Sequence, residues 1–293
     1  MVTRYLSESW DAYKRNFWQI VGGLLIITLV MSGIIIVSAL PIVAKLIGYL
    51  SASSNVQSAL FQFLMDGGVQ FSAALLVAGV IVALIISTAL EAGFVRMLAD
   101  ALKGKAEIGV MISTAREKFW TIIGANVLAG VARFALFLVF IFPPFMAIMY
   151  ESVYNLSNYL YAPDIGTMLW FYGGLVIYML LVLPFTLVNQ AVVVGNHNAV
   201  DSVKKSFSVV KANYLQFLGL TVLVSLIAML VAIVPVLGSL ANFFVVTPVA
   251  ALAYTAFYLA KARESGRAAI GKRGTAKRNS VRGRKRTGRA KRK

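Results

Sequence analysis

Residues 212–260 run for forty-nine positions without an Asp, Glu, Lys or Arg. A helix needs ~20 apolar residues to cross the ~30 Å hydrocarbon core of a bilayer. This one stretch therefore holds two crossings, with a turn at Pro235-Val236-Leu237-Gly238. Residues 16–44, 67–90 and 165–196 are equally free of charge, and 119–150 carry only Arg133. Hydrophobic residues make up 59% of the 293 and charged ones 13%, where a soluble domain has about a quarter charged. The expected fold class is an all-α integral membrane protein with six transmembrane helices. Residues 46–68 are too polar to cross; Val56, Leu60, Phe63 and Leu64 share one face there, as in a short helix on the outer surface.

A box occurs twice: Ser9-Trp10-x-x-x-Lys14-x-Asn16-Phe17-x-Gln19-x-x-Gly22 and Ser206-Phe207-x-x-x-Lys211-x-Asn213-Tyr214-x-Gln216-x-x-Gly219. A degraded copy lies between them, with Ile112, Arg116, Phe119-Trp120 and Gly124 at the same offsets. Phe17 and Phe119 are 102 positions apart, Phe119 and Tyr214 are 95, so the period is one structural unit. A membrane domain over 1–262 thus divides into parallel repeats at about 4–105, 106–197 and 198–262. Each is an interfacial amphipathic helix plus two spans.

Trp10, Tyr13, Phe17 and Ile20 fall on one helical stripe, as do Phe207, Val210, Tyr214 and Phe217. Trp10, Phe17, Trp120, Phe207 and Tyr214 suit the headgroup boundary, where Lys14 and Lys211 lift their ammonium groups into water. The box glycine is expected to end the surface helix or bend it inward. The alternative is that each box is simply the first turns of a long span.

Lys and Arg in short loops set the orientation. One side collects Arg4, Lys14 and Arg15, then Arg96, Lys103, Lys105, Arg116 and Lys118, then Lys204, Lys205 and Lys211; the other has Lys45 alone. A multi-pass protein of the plasma membrane with both termini cytoplasmic follows. Its repeats are related by an axis along the membrane normal, and membrane lipids are its first expected partners.

Chemistry is sparse. The chain has no cysteine and one histidine, His197, so thiol catalysis, paired-imidazole metal sites and Ser-His triads with a second imidazole are excluded. Neither GxGxxG nor GxxxxGK[ST] occurs, and no cofactor, metal or enzymatic activity is expected. The sharpest residue is Arg133, because a guanidinium inside a span costs at least a few kcal/mol unless paired or wetted. Glu91 is its candidate partner. With Asn126, Asn189 and Gln190 the two form a candidate intramembrane polar site, either packing contacts or the lining of a small-solute or lipid transport path.

The net charge of +17 is concentrated at one end. From Lys261 to Lys293 there are fifteen Lys or Arg and one acid, Glu264. Residues 263–293 carry no aromatic and are too charged and glycine-rich to fold alone, so a disordered polybasic tail is expected. Arg282, Arg284, Lys285, Arg286, Arg289, Lys291, Arg292 and Lys293 neutralise phosphates without a ring to stack a base. Binding to ribosomal RNA, DNA or anionic lipid would be sequence-blind and salt-dependent. The bland reading is a topology anchor.

The stretch Ala199-x-Asp201-Ser202-x-Lys204-x-Ser206-Phe207-x-x-x-Lys211-x-Asn213-Tyr214, with Gly93-Phe94-x-Arg96 to Gly104-Lys105, resembles a loose group of uncharacterised prokaryotic membrane proteins. That group is similar to the membrane domain attached to some glycerophosphodiester phosphodiesterases. Over residues 1–262 the resemblance implies a six-helix integral domain. No phosphodiesterase catalytic domain is present, and the tail lies outside it.

Overall fold

The computed structural model describes residues 2–52, 55–154, 164–262 and 264, and these are helical with no strand among them. The helices are α1 (Val2–Arg15), α2 (Phe17–Ala52), α3 (Val56–Met65), α4 (Gly67–Ala101), α5 (Ile108–Glu117) and α6 (Phe119–Phe140). Then follow α7 (Phe142–Tyr154), α8 (Ile165–Val182), α9 (Val188–Val193), α10 (Ala199–Ala212) and α11 (Tyr214–Ala232). The last is α12 (Leu237–Ala262). Six stretches are long and apolar enough to cross a membrane: α2, α4, α6, α8 continued by α9, α11 and α12. The tail lies outside the described residues, as does Asn155-Leu156-Ser157, which has the spacing of an N-glycosylation acceptor.

The spans form three hairpins, α2 with α4, α6 with α8–α9, and α11 with α12. Each is preceded by a short helix and a single non-helical residue: Asn16 before α2, Lys118 before α6, Asn213 before α11. The bend expected at the box glycine therefore falls six residues earlier. Asparagine explains two of the breaks, since a short amide competes with the backbone ladder. The Asn16 Nδ2 donates to the Ala12 carbonyl at 3.0 Å, and the Asn213 Nδ2 to Val209 at 3.0 Å. The Asn16 Oδ1 also accepts from the Ala106 amide at 2.9 Å, tying the break to the loop after α4.

The box glycine has another use. A Cβ at Gly22 would meet Ile108 at 3.2 Å, one at Gly124 would meet Ala199 at 3.3 Å, and one at Gly219 would meet Val2 at 3.8 Å. Ile108, Ala199 and Val2 are the first residues of α5, α10 and α1. Each short helix thus starts against the glycine of another hairpin's leading span, and the contacts run round in a ring closed by α1 on α11.

The short helices also lie along second spans. α5 crosses α4 where Gly93 leaves no room for a Cβ beside the Met111 carbonyl. α10 lies on α9 and the turn before it, and α1 on α12, with Tyr5 edge-on to Phe257 at 5.6 Å. Three apolar clusters fill the seams. One joins Phe94, Met97 and Met111 to Ile20 and Leu252; a second joins Val95 and Ile122 to Val188 and Val192; a third joins Leu187 and Val210 to Phe217 and Phe257.

Burial is concentrated at one end. Along α2 nothing beyond Ile27 is buried, along α6 nothing beyond Ala129, and along α11 nothing beyond Val224. α2 also continues through Lys45 to Ala52, so the polar interlude begins later than its composition suggests. Helix α3 folds back on it, with Ala59 buried and Phe63 edge-on to Tyr49 at 6.1 Å, while Val56, Leu60 and Leu64 stay exposed. The Lys45 ammonium reaches the Asp66 carboxylate at 2.9 Å, and Asp66 caps α4 by accepting from the Gly68 amide at 2.8 Å. That lysine and that amide hold the Asp66 carboxyl below its usual range.

Candidate functional site

Proline removes an amide donor and so strands the carbonyl four residues before it. In lipid no water replaces the lost bond, and neighbouring side chains must. Pro184 breaks the fourth span into α8, a 3₁₀ turn (Leu183–Phe185) and α9. The carbonyl four before it is Leu180, and the Tyr214 hydroxyl donates to it at 3.0 Å. Within the break, Thr186 donates to Leu183 at 2.7 Å, Ser206 to Pro184 at 2.5 Å, and Arg133 through Nη2 to Phe185 at 2.5 Å.

Pro248 repeats the situation in α12. Four residues earlier lies Phe244, inside a π-helical stretch (Asn242–Val246), and the Tyr13 hydroxyl donates to its carbonyl at 2.7 Å. Burial pushes the Tyr13 phenol above its ordinary value, so it stays a donor at neutral pH. Both tyrosines stand at the end of a short helix or the start of the following span, and both cap a second span of another hairpin.

Arg133 is therefore a cap on a helix break. Among the described residues its guanidinium and the Glu91 carboxylate form no ion pair, and Glu91, exposed on α4, makes no hydrogen bond or ion pair. Helix α6 begins at Phe119, the start that sets Arg133 deep in the span and disfavours a pair with Glu91, and Arg133 turns to the open turn that Pro184 creates. Asn126 and Asn189 do meet, Nδ2 to Oδ1 at 2.8 Å, joining α6 to α9. Gln190 is buried one residue further on, its Oε1 without a partner among the described residues. So four of the five intramembrane residues gather on α6 and α9, and Glu91 stands apart.

The Lys118 ammonium reaches the Val192 carbonyl at 3.1 Å and the Asn196 Oδ1 at 2.7 Å, and Arg96 lies 3.4 Å from the Val193 carbonyl. Cations at the last carbonyls of α9 complement its dipole. Burial, and then the Arg96 charge, lower the Lys118 pKa from its ordinary value.

Of the boundary residues, Trp10, Trp120 and Phe207 are exposed, while Phe17 and Tyr214 are half-buried. Lys14 pairs with Asp11 at 3.0 Å, and Lys211 is exposed at the end of α10. Trp18, Trp120 and Leu215, one residue past the box aromatics, are 79%, 81% and 80% exposed, a common level at which the first spans of all three hairpins meet their surroundings.

The sequence left out Tyr13, Ser206 and the two prolines as a set. Their signal was a proline inside an apolar run with hydroxyl side chains elsewhere able to serve it.

A family model described as a domain of unknown function, DUF7847, matches residues 58–264, which is most of the chain. The chain belongs to the DUF7847 family. No curated protein and no solved structure matches it. The DUF7847 match takes in the degraded box and the third box, both breaks and all of α4 to α12, and starts after α1 and the first box.

Proposed function

We propose that this multi-pass protein is a non-catalytic membrane anchor presenting a cationic tail to a polyanion on the cytoplasmic face of the cell membrane. The observation carrying the reading is the charge of the last thirty-three residues, fifteen Lys or Arg against Glu264. Its support in the folded part is a cleft of ≈890 Å³ at the end of α12, walled by Arg4, Lys14, Arg15 and Lys103 beside Leu259 and Ala260. The tail follows directly from this end of α12, so its charge adds to a face already cationic. Orientation rests on the Lys and Arg count, with Lys45 alone at the far end of α2.

The threefold repeat belongs to the same proposal. It is supported by single-residue breaks at the same box position and by Gly22, Gly124 and Gly219 each receiving the start of another hairpin's short helix. The resemblance to phosphodiesterase membrane domains enters only as that of an integral module with no catalytic partner in the chain. Against the transport alternative stands the bond from the Arg133 Nη2 to the Phe185 carbonyl; the Arg133 Nε is buried without a partner among the described residues.

The test is sedimentation and crosslinking from native membranes across a salt series, comparing the full chain with one ending at Ala262. Ribosomes, DNA or anionic vesicles should follow only the full chain and fall away steeply as salt rises. Identical behaviour of the two would reduce the tail to a topology device.

A further inference from the structure

We infer that α1 seats one anionic phospholipid, with its phosphate in the charged cleft on one side of the helix and an acyl chain in an apolar groove on the other. This site is independent of the tail. On α1, Arg4, Glu8, Asp11 and Arg15 recur at helical spacing and wall the cleft; Leu6 and Trp10 lie on a different face and cover the groove. Tyr5, Ser9 and Ala12 are buried. The helix is amphipathic in three sectors: charged, packed and lipid-like.

In the cleft four cations, Arg4, Lys14, Arg15 and Lys103, face two carboxylates, Glu8 and Asp11. The pairs Arg4–Glu8 at 2.7 Å and Lys14–Asp11 at 3.0 Å are solvent-exposed and hold their cations weakly. The Arg15 Nε donates only to the Asp11 carbonyl, at 3.3 Å, leaving the rest of its fork for a phosphate.

The groove is a space of ≈220 Å³ under Leu6 and Trp10, between α11 and α12. Val224, Val246 and Ala250 also line a neighbouring space of ≈410 Å³ that reaches Asn242 and Tyr254. Its existence follows from the backbone. The π-helical stretch (Asn242–Val246) forms part of its wall, and Asn242 reaches across to the Ala228 carbonyl at 3.0 Å to hold the two helices at the far end. A π-bulge of this kind often marks a functional site.

Lys14 joins the halves. It lines the cleft, and its ammonium lies 5.9 Å over the ring of Trp10, which covers the groove. A tryptophan beside a lysine at the edge of a spanning helix is the chemistry of the headgroup boundary. A phosphate at Lys14 places the attached chains at the groove mouth. A soluble anion would use only the cleft, and a neutral lipid only the groove.

The test uses the full chain with Trp18, Trp120 and Trp170 changed to Phe, so that Trp10 alone reports. It is reconstituted in phosphatidylcholine nanodiscs containing rising amounts of phosphatidylglycerol brominated on its acyl chains. Quenching of Trp10 should saturate at a lower mole fraction of brominated phosphatidylglycerol than of brominated phosphatidylcholine. Lys14→Gln should raise the half-saturation for phosphatidylglycerol about fivefold. Ala250→Phe, which adds bulk to the lining the two spaces share, should abolish saturation. The tail is present in every variant, so Lys14→Gln against the parent in phosphatidylglycerol separates the site from the tail's attraction for anionic lipid. Equal, non-saturating quenching by both lipids overturns the site, as does an Ala250→Phe protein that saturates normally. If Ala250→Phe does not fold, the comparison of the two lipids on the intact groove decides.

Discussion

The Tyr13 hydroxyl donates to the carbonyl of Phe244, 2.7 Å away, which Pro248 has deprived of its helical partner. Tyr214 stands in the same relation to Leu180 and Pro184. The degraded box lies beside α4, which contains no proline, and there the position matching Tyr13 is Ala115 and that matching Tyr214 is Phe119. In these two second spans a tyrosine hydroxyl serves the stranded carbonyl, and beside α4, which has no proline, the matching positions carry none.

Tyr13→Phe should cost ~1 kcal/mol by equilibrium unfolding in mixed micelles. In a Pro248→Ala background the restored amide serves Phe244, and the cost of Tyr13→Phe should fall toward zero. A double-mutant cycle measures the difference, and additive losses would refute the pairing of donor and break.

Arg133→Leu leaves the Phe185 carbonyl without its cap and should destabilise by ~1–2 kcal/mol in the same assay. Glu91→Gln should change stability by less than ~0.5 kcal/mol, and the double variant should be additive within ~0.5 kcal/mol. A larger coupling would place the two in one network after all.

Adding a methyl at the ring glycines should give a graded result. Gly22→Ala and Gly124→Ala meet atoms at 3.2 and 3.3 Å and should lose stability. At Gly219 the nearest atom is an ordinary 3.8 Å away, so the helix preference for alanine, up to ~1 kcal/mol, should make Gly219→Ala neutral or stabilising. Thermal unfolding of the three variants gives the order.

The Lys45–Asp66 pair makes the hairpin tip pH-dependent. Folding lowers the Asp66 pKa, so the charged carboxylate favours the tip at every pH above its ordinary value of 3.8, and the gain is lost as pH falls through the lowered value. Hydrogen-exchange protection of residues 55–68 should drop on acidification below ~4. Asp66→Asn keeps a capping oxygen for Gly68 and loses the charge, so its protection should be lower at neutral pH and flat with acid.

The spans were legible because charge-free length is a one-dimensional property, and the turn near Pro235 was readable from its proline and glycine. The box was legible as a pattern but its bend was misplaced: Gly22 drew attention as a hinge, whereas the bend follows the Asn16 amide and Gly22 is small because Ile108 arrives there. Arg133 stands out in the sequence as a charge inside a span, but the sequence leaves its partner open. Glu91 is charged and near in sequence logic, but the group that needed a donor was a backbone carbonyl, which a sequence displays only through the proline downstream of it. Contacts between hairpins, such as Tyr13 with Phe244 across 231 positions, have no local signature at all.

Among the described residues, the three buried clusters that join the hairpins lie toward the end that holds α1, α5 and α10. The α2 run of 28 uncharged residues up to Lys45 is ~42 Å long at 1.5 Å per residue, more than the ~30 Å of an average bilayer core, so it must lean to fit. Bilayer thickness then acts on the tilt of α2, whose near end is locked into a buried cluster and whose far end is tied to its own hairpin through Lys45 and Asp66.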